Sequence, residues 1–125
     1  MGGRVVRIIT RLNRGGPLRQ LTALVPGLAR RGWSGPVLAG HVGVGEHDGG
    51  DALRAVGADL VTVPSLGRGL DASRDARALR AILAVLRRVQ PDLVHTHMGK
   101  AGALGRLAAT MVGVPCVHTF HGHHF

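Results

Sequence analysis

The sequence has few large aromatic side chains: no tyrosine, one tryptophan and two phenylalanines in 125 residues. A core must therefore be built from Val, Leu, Ile and Ala, which suits helices packed on a parallel sheet. Cys116 is the only cysteine, so no internal disulfide can form and a reducing cytosol is the expected compartment. The apolar run at residues 5–9 is too short and too interrupted for a signal peptide or a membrane span. We therefore expect a cytoplasmic protein that is soluble or peripheral to a membrane.

Acidic residues are also scarce, with seven Asp and Glu against sixteen Lys and Arg, and Lys100 is the only lysine. Arginine-rich chains favour partners that carry phosphate, although the same surplus fits side chains that merely solvate the surface. A nucleic-acid-binding module is a further alternative. We expect no nucleic acid partner, because aromatic side chains are too few to stack bases and no reader motif is present.

The hydrophobic pattern alternates between short apolar runs and helical periodicity. Predicted strands cover residues 4–10, 36–41, 59–64, 92–96 and 114–120. Predicted helices cover residues 17–31 and 51–56, a segment capped by Asp71 or Ser73, and residues 100–112. This order predicts an α/β fold with an open Rossmann-like, mostly parallel sheet of five β-α units, and ligands beyond the carboxyl ends of the strands. Pro26 predicts a kink or a tightened last turn in the first helix.

Gly15 and Gly16 follow the first strand at the mouth of a helix, where backbone N–H groups can approach a phosphate closely. Arg19, one turn later, can add a positive charge. A plain tight turn explains the glycine pair equally well, because two glycines after a strand are a weak signal. The pair is therefore a candidate phosphate loop and no more.

The fourth strand passes into a helix at His95, His97 and Lys100. The two histidines are two residues apart, so they share one face of the strand. We interpret His95 as a core histidine and expect His97, at the strand end, to be exposed to a ligand. Lys100, in the first turn of the helix, suits an anion.

A third cluster, His121, His123 and His124, follows the fifth strand. Imidazole is a common metal ligand, so metal binding is one interpretation. The spacing matches no closed zinc motif, and we prefer a single histidine that hydrogen-bonds a sugar hydroxyl or a phosphate. We therefore expect no metal and no bound cofactor.

These pieces together resemble glycosyltransferase family 4, a retaining family of the two-domain GT-B fold. The matching segments are Gly15-Gly16 with Arg19, PDLVHTH at 91–97, KAG at 100–102, GRLA at 105–108, GVP at 113–115 and TFHG at 119–122. Leu18 departs from the glutamate that many members place before the arginine. The order and spacing of the segments, rather than any one of them, carry the resemblance across the chain.

The resemblance implies transfer of a sugar from a nucleotide-sugar donor to an acceptor hydroxyl with retention, without a required metal. Gly15 and Gly16 would lie near the donor diphosphate with Arg19 supporting them, and His121 would be the catalytic residue, in contact with the transferred sugar. His97 and Lys100 would line the side of a glycan or lipid-linked acceptor. Arginine-rich helix faces add a weaker hypothesis of peripheral contact with an anionic membrane at its inner face.

The resemblance also implies that residues 1–125 form part of an N-terminal, acceptor-side domain and that a C-terminal nucleotide-sugar domain is absent. Half a cleft can neither stabilise a leaving diphosphate nor exclude water, so we expect the 125 residues alone to transfer no sugar. The alternative is a phosphate- or nucleotide-binding α/β module without transfer chemistry, which the glycine pair alone would also satisfy.

Overall fold

A computed structural model of the chain describes residues 2–12, 15–41, 49–67 and 69–119. Strands and helices alternate through these residues, and every strand pair is parallel. The strands are β1 (Gly3–Arg11), β2 (Trp33–Ser34), β3 (Pro36–Gly40), β4 (Asp59–Thr62), β5 (Leu93–His97) and β6 (Cys116–Thr119). The helices are α1 (Gly16–Ala29), α2 (Gly50–Ala55), α3 (Ala72–Val89) and α4 (Gly99–Val112). The predicted α/β, Rossmann-like fold is confirmed.

The sheet has the order β4-β3-β1-β5-β6, with β1 at its centre. The two-residue strand β2, which the sequence analysis missed, pairs with the start of β1 and aligns Trp33 with Gly3. A strand of two residues is too short to show a periodicity. The two segments meet only because the chain after α1 comes back to the amino end of β1. The predicted end of the last strand, Phe120, lies outside the described residues.

Helices cover both faces of the sheet because β1 alternates its side chains between two cores. On one face, α3 and α4 pack over a core that includes Val6, Ile8, Ile82, Leu86 and Val94. On the other, α1 and α2 pack over a core that includes Ile9, Leu21, Val37 and Leu53. The sheet is thus buried between helices, as expected for parallel strands.

Helix α1 continues through Pro26 to Ala29. After it, the chain makes shorter i→i−3 bonds: the Arg31 N–H donates to the Leu28 carbonyl at 2.9 Å, and the Gly32 N–H to the Ala29 carbonyl at 3.0 Å. Such bonds are typical of a helix end that tightens. The prediction of a tightened last turn is confirmed.

Asp71 is the N-cap of α3, and its carboxylate accepts a hydrogen bond of 3.0 Å from the Arg74 backbone N–H. This bond lowers the pKa of the Asp71 carboxyl below its ordinary value, because it stabilises the ionised form. Of the two caps predicted for this helix, the structure selects Asp71 over Ser73.

Strand β1 buries an arginine. Arg7 is only 1% exposed and lies between Val37 of β3 and His95 of β5 in the sheet register. Its Nε and Nη2 atoms have no hydrogen-bond partner among the described residues, and burial lowers the pKa of the guanidinium. Burying a charged group that lacks hydrogen-bond partners lowers the free energy of unfolding.

Candidate functional site

A cavity of about 540 Å³ opens at the carboxyl edge of the sheet, where the fold predicts ligands. Three segments form its walls: the end of β1, the loop between β4 and α3, and the start of α4. The described residues that line it are Thr10, Arg11, Gly69, Leu70, Met98, Gly99 and Lys100. Apolar and cationic side chains are therefore placed side by side at this edge.

Gly15 is the N-cap of α1 and has a φ of +152°, a conformation that L side chains rarely adopt. The Arg19 N–H donates to the Gly15 carbonyl at 3.2 Å, and the Arg19 side chain is exposed. A Cβ added to Gly16 would have no atom of the described residues within 4 Å, so the side of Gly16 on which a side chain would stand is open among them. Gly15, Gly16 and Arg19 are not among the described residues that line the cavity.

Thr10 connects the end of β1 to the start of α4. It is 3% exposed, and its Oγ1 accepts a hydrogen bond of 3.0 Å from the Ala101 backbone N–H. This satisfies one of the N–H groups that a helix leaves without an intrahelical partner at its first turn. The sequence did not predict this role of Thr10, because a threonine at a strand end carries no sign of a contact 91 residues away.

His97 is 0% exposed, so the expectation that it faces a ligand at the strand end is wrong. Strand β5 lies between β1 and β6, and the register places His97 between Ile9 and Thr119. His95 shares its face, with ring centroids 4.2 Å apart, as the two-residue spacing predicts. His95 Nε2 lies 2.6 Å from Thr119 Oγ1, so its expected hydrogen bond is present, but His95 is half-buried rather than part of the core.

Lys100 reaches across the cavity wall to the β4–α3 loop. Its Nζ donates to the Gly69 carbonyl at 2.5 Å and to Asp75 Oδ2 at 2.8 Å. The side chains of Lys100 and Asp75 are 14% and 22% exposed. The only lysine of the chain therefore forms a largely buried ion pair.

Two glycines bring α4 close to the sheet. A Cβ on Gly102 would lie 2.6 Å from His118 Cε1, and one on Gly105 would lie 2.5 Å from Thr96 Cγ2. Thr96 Oγ1 and His118 Nδ1 are 2.7 Å apart, so a side-chain hydrogen bond joins β5 and β6 beneath α4. The glycines of the KAG and GRLA segments thus serve helix–sheet packing.

The histidine cluster at 121–124, including His121, lies outside the described residues. Cys116 at the start of β6 is half-buried, and burial raises the pKa of its thiol. Within residues 2–12, 15–41, 49–67 and 69–119, no three His, Cys, Asp or Glu side chains are grouped to hold a metal ion. No helix in these ranges is long and apolar enough to cross a membrane.

Comparison with known proteins finds relatives in sequence and in structure. The chain is 45% identical over 64 residues to UDP-Gal:alpha-D-GlcNAc-diphosphoundecaprenol alpha-1,3-galactosyltransferase of Escherichia coli, a match that covers 50% of the chain and 16% of that protein. A glycosyltransferase from Rickettsia africae superposes with a TM-score of 0.75 at 16% identity, over 97% of the chain and 30% of that structure. UDP-GlcNAc 2-epimerase from Methanocaldococcus jannaschii superposes with a TM-score of 0.65 at 15% identity, over 95% of the chain and 31% of that structure.

The two structural likenesses show the fold alone, and that fold carries both glycosyl transfer and sugar epimerisation in the proteins named. The chain spans about a sixth of the length of the Escherichia coli relative and about a third of the two structures. The family itself is decided by a match over residues 15–125, which include the glycine pair, the histidine cluster and the cavity residues from Gly69 to Lys100. This match, to the glycosyl transferase 4-like domain, covers most of the chain, and the chain therefore belongs to that family.

Proposed function

We propose that this chain is the acceptor-side domain of a glycosyltransferase that moves a sugar from a nucleotide-sugar donor to an acceptor hydroxyl with retention. The observation that carries the proposal is the cavity at the carboxyl edge, in a chain whose residues 15–125 match the glycosyl transferase 4-like domain. Catalysis of this kind requires a site where a leaving diphosphate is stabilised and water is excluded. We assign the nucleotide-sugar domain to a part of the protein outside this chain.

On the donor side, we assign the diphosphate to the Gly15–Gly16 backbone and the first turn of α1. The open space before Gly16 allows a phosphate to approach, and the exposed Arg19 adds a positive charge one turn later. His121, which follows β6, is assigned as the catalytic residue in contact with the transferred sugar. No metal and no further cofactor are needed in this scheme, because helix N–H groups and basic side chains supply the positive charge.

The acceptor is assigned to the cavity at the carboxyl edge. Lys100 contributes through the loop that it holds, whereas His97 is buried within the sheet and is not among the described residues that line the cavity. The Escherichia coli relative is named for a GlcNAc-diphosphoundecaprenol acceptor, and we extend the lipid-linked class of acceptor to this protein. A cavity lined by both Arg11 and Leu70 suits a molecule with a charged head group and an apolar chain.

A lipid-linked acceptor places the enzyme at the inner face of a membrane, in the cytoplasm. Helix α3 presents four exposed arginines within about a third of its circumference, at Arg77, Arg80, Arg87 and Arg88. Each basic residue near an anionic membrane surface contributes about 1 kcal/mol of attraction. We propose that this arginine face makes a peripheral contact with anionic lipid.

Vesicle sedimentation tests the membrane contact. The chain should bind vesicles that contain phosphatidylserine at low salt and should not bind pure phosphatidylcholine. Replacing Arg77, Arg80 and Arg88 by Gln should abolish binding, whereas a triple control at Arg30, Arg31 and Arg54, which are also exposed, should retain most of it. Equal losses in the two triple variants would contradict a contact through α3.

The transferase activity is tested on the full-length protein with a panel of labelled nucleotide sugars and a GlcNAc-diphospho-lipid acceptor. We expect transfer from one donor of the panel, with product NMR showing retention at the anomeric carbon. The 125-residue chain alone should give none, because it supplies only one side of the cleft. Absence of transfer by the folded full-length protein across the panel, or transfer by the chain alone, would overturn the corresponding part of the proposal.

A further inference from the structure

The β4–α3 loop, described at residues 63–67 and 69–71, contributes Gly69 and Leu70 to one wall of the cavity and is fixed at its base. The Val63 N–H donates to the Ala39 carbonyl at 2.8 Å, and Leu66 is 1% exposed. Gly40 allows this seating, because a Cβ there would overlap the Leu66 carbonyl oxygen. The first half of the loop is therefore packed onto the end of β3.

The second half of the loop is held by Lys100. Its ammonium group binds the Gly69 carbonyl, and the same nitrogen pairs with Asp75 in the first turn of α3. Lys100 thus joins three elements: α4, on which it lies, the loop and α3. We call Lys100, Asp75 and the Gly69 carbonyl the loop clamp.

The loop clamp is poorly explained by stability alone. Taking a lysine and an aspartate largely out of water costs desolvation energy, which their attraction recovers only when every polar atom is satisfied. In the described part of the chain, Oδ1 of Asp75 is buried and has no hydrogen-bond partner. An ion pair that adds little net stability can still hold the groups that it joins in fixed positions.

The position that the loop clamp fixes is that of Leu70, which directly follows Gly69. Leu70 is 100% exposed and lines the cavity. A single exposed leucine is common on protein surfaces. Leu70 differs because its backbone neighbour is held by a buried ion pair and because its side chain stands at the mouth of a candidate ligand site.

We propose that Leu70 contacts the hydrocarbon chain of a lipid-linked acceptor, and that Lys100 is a positioning residue that acts through the loop clamp. This inference rests on the lipid-linked acceptor of the proposed function. Covering Leu70 with an isoprenoid chain removes apolar surface from water, while Arg11 in the same cavity faces the diphosphate end. Leu70 therefore sets a preference for acceptors that carry a hydrocarbon chain.

Calorimetric titration with two probes measures this preference: farnesyl diphosphate, below its micelle concentration, and inorganic pyrophosphate. The unmodified chain should bind farnesyl diphosphate more tightly than pyrophosphate. Leu70→Ser should weaken binding of farnesyl diphosphate about tenfold and leave pyrophosphate unchanged, because only the hydrocarbon loses its contact. The matched control is Leu107→Ser, another exposed leucine, on α4 and not among the described residues that line the cavity; it should bind both probes normally.

Two substitutions at Lys100 test its positioning role separately. Lys100→Met should lose the preference for farnesyl diphosphate to the same extent as Leu70→Ser, and Lys100→Arg should restore most of it, since a guanidinium can also pair with Asp75. A variant that merely destabilised the chain would lower its melting temperature without changing the ratio of the two affinities. If Lys100→Met does not fold, the exposed Leu70 still provides the deciding substitution.

The proposal is overturned if Leu70→Ser binds farnesyl diphosphate normally, if it weakens both probes equally, or if the unmodified chain shows no preference. These titrations require no donor and no sugar transfer. A protein that prefers farnesyl diphosphate through Leu70 but transfers no sugar would refute the transferase proposal and leave this one intact. Transfer at equal rates to lipid-linked and soluble acceptors, unchanged in Leu70→Ser, would refute the role of Leu70 and leave the transferase proposal intact.

Discussion

Gly105 of α4 lies directly on Thr96 of β5, so close that a Cβ on Gly105 would be 2.5 Å from Thr96 Cγ2. Thr96 cannot easily move away, because it is fully buried, β-branched and hydrogen-bonded to His118. The cavity wall formed by the start of α4 therefore depends on a glycine about two turns further along the same helix.

Gly105→Ala should destabilise the chain by about 1 to 3 kcal/mol, because the added methyl group overpacks the interface between α4 and the sheet. Urea unfolding followed by circular dichroism measures the change. Gly99→Ala is the matched control in the same helix, since a Cβ there meets no atom within 4 Å. Equal stability of the two variants would contradict the tight contact.

Arg7→Met should raise the free energy of unfolding by about 1 kcal/mol or more, because it removes a buried guanidinium whose Nε and Nη2 have no partner in the described part of the chain and keeps most of the side-chain volume. The control is Arg80→Met, an exposed position on α3, where the change should stay within about 0.5 kcal/mol. A loss of stability in Arg7→Met would show that the guanidinium is satisfied in solution.

Thr10→Val should lower stability by about 1 to 3 kcal/mol, because the buried Ala101 N–H loses its acceptor while the shape of the side chain is kept. Hydrogen exchange of the Ala101 amide should accelerate relative to amides in the middle of α4. Thr110→Val is the control, since the Thr110 hydroxyl donates to the Arg106 carbonyl on the exposed side of the same helix. An unchanged exchange rate at Ala101 would rule out Thr10 as its acceptor.

Asp71 should give α3 a stabilisation that depends on pH. Its folded-state pKa is lowered by the hydrogen bond from the Arg74 N–H. The stabilisation is therefore fully present above the unfolded pKa of about 3.9 and is lost as the pH falls through the lower, folded value. Melting temperatures of the wild type and Asp71→Asn, which keeps a capping side chain without the charge, should differ at pH 7 and converge near pH 2. A difference that persists at pH 2 would contradict this assignment.

The local elements were predicted from the sequence because their causes are local. Apolar periodicity distinguishes α3 from β5, Asp71 caps the helix that follows it, and the tightened turn lies within a few residues of Pro26. The family was also predictable, since the order of short segments along the chain carries the resemblance and the match over residues 15–125 confirms it. The parallel sheet also followed from the β-α alternation, whereas the two-residue strand β2 was not predicted.

The environment of the site residues was not predictable in the same way. His97 has the same neighbours in sequence whether it faces a ligand or the interior, and its burial is decided by the strands on either side of β5. Nothing near Lys100 in the sequence indicates Asp75, which is 25 residues away, or the Gly69 carbonyl, which is 31 residues away. The role of His121, outside the described residues, stays a prediction.

The sequence by itself determined which segments become strands and helices, the family to which they belong and the edge of the sheet where ligands are expected, because short-range periodicity and the order of motifs specify them. The tertiary structure alone decided that Arg7 and His97 are buried, that Thr10 holds the start of α4 and that Lys100 holds the loop carrying Leu70. Each of these depends on which distant segments are packed together, and packing is settled by the whole core rather than by any one stretch of chain.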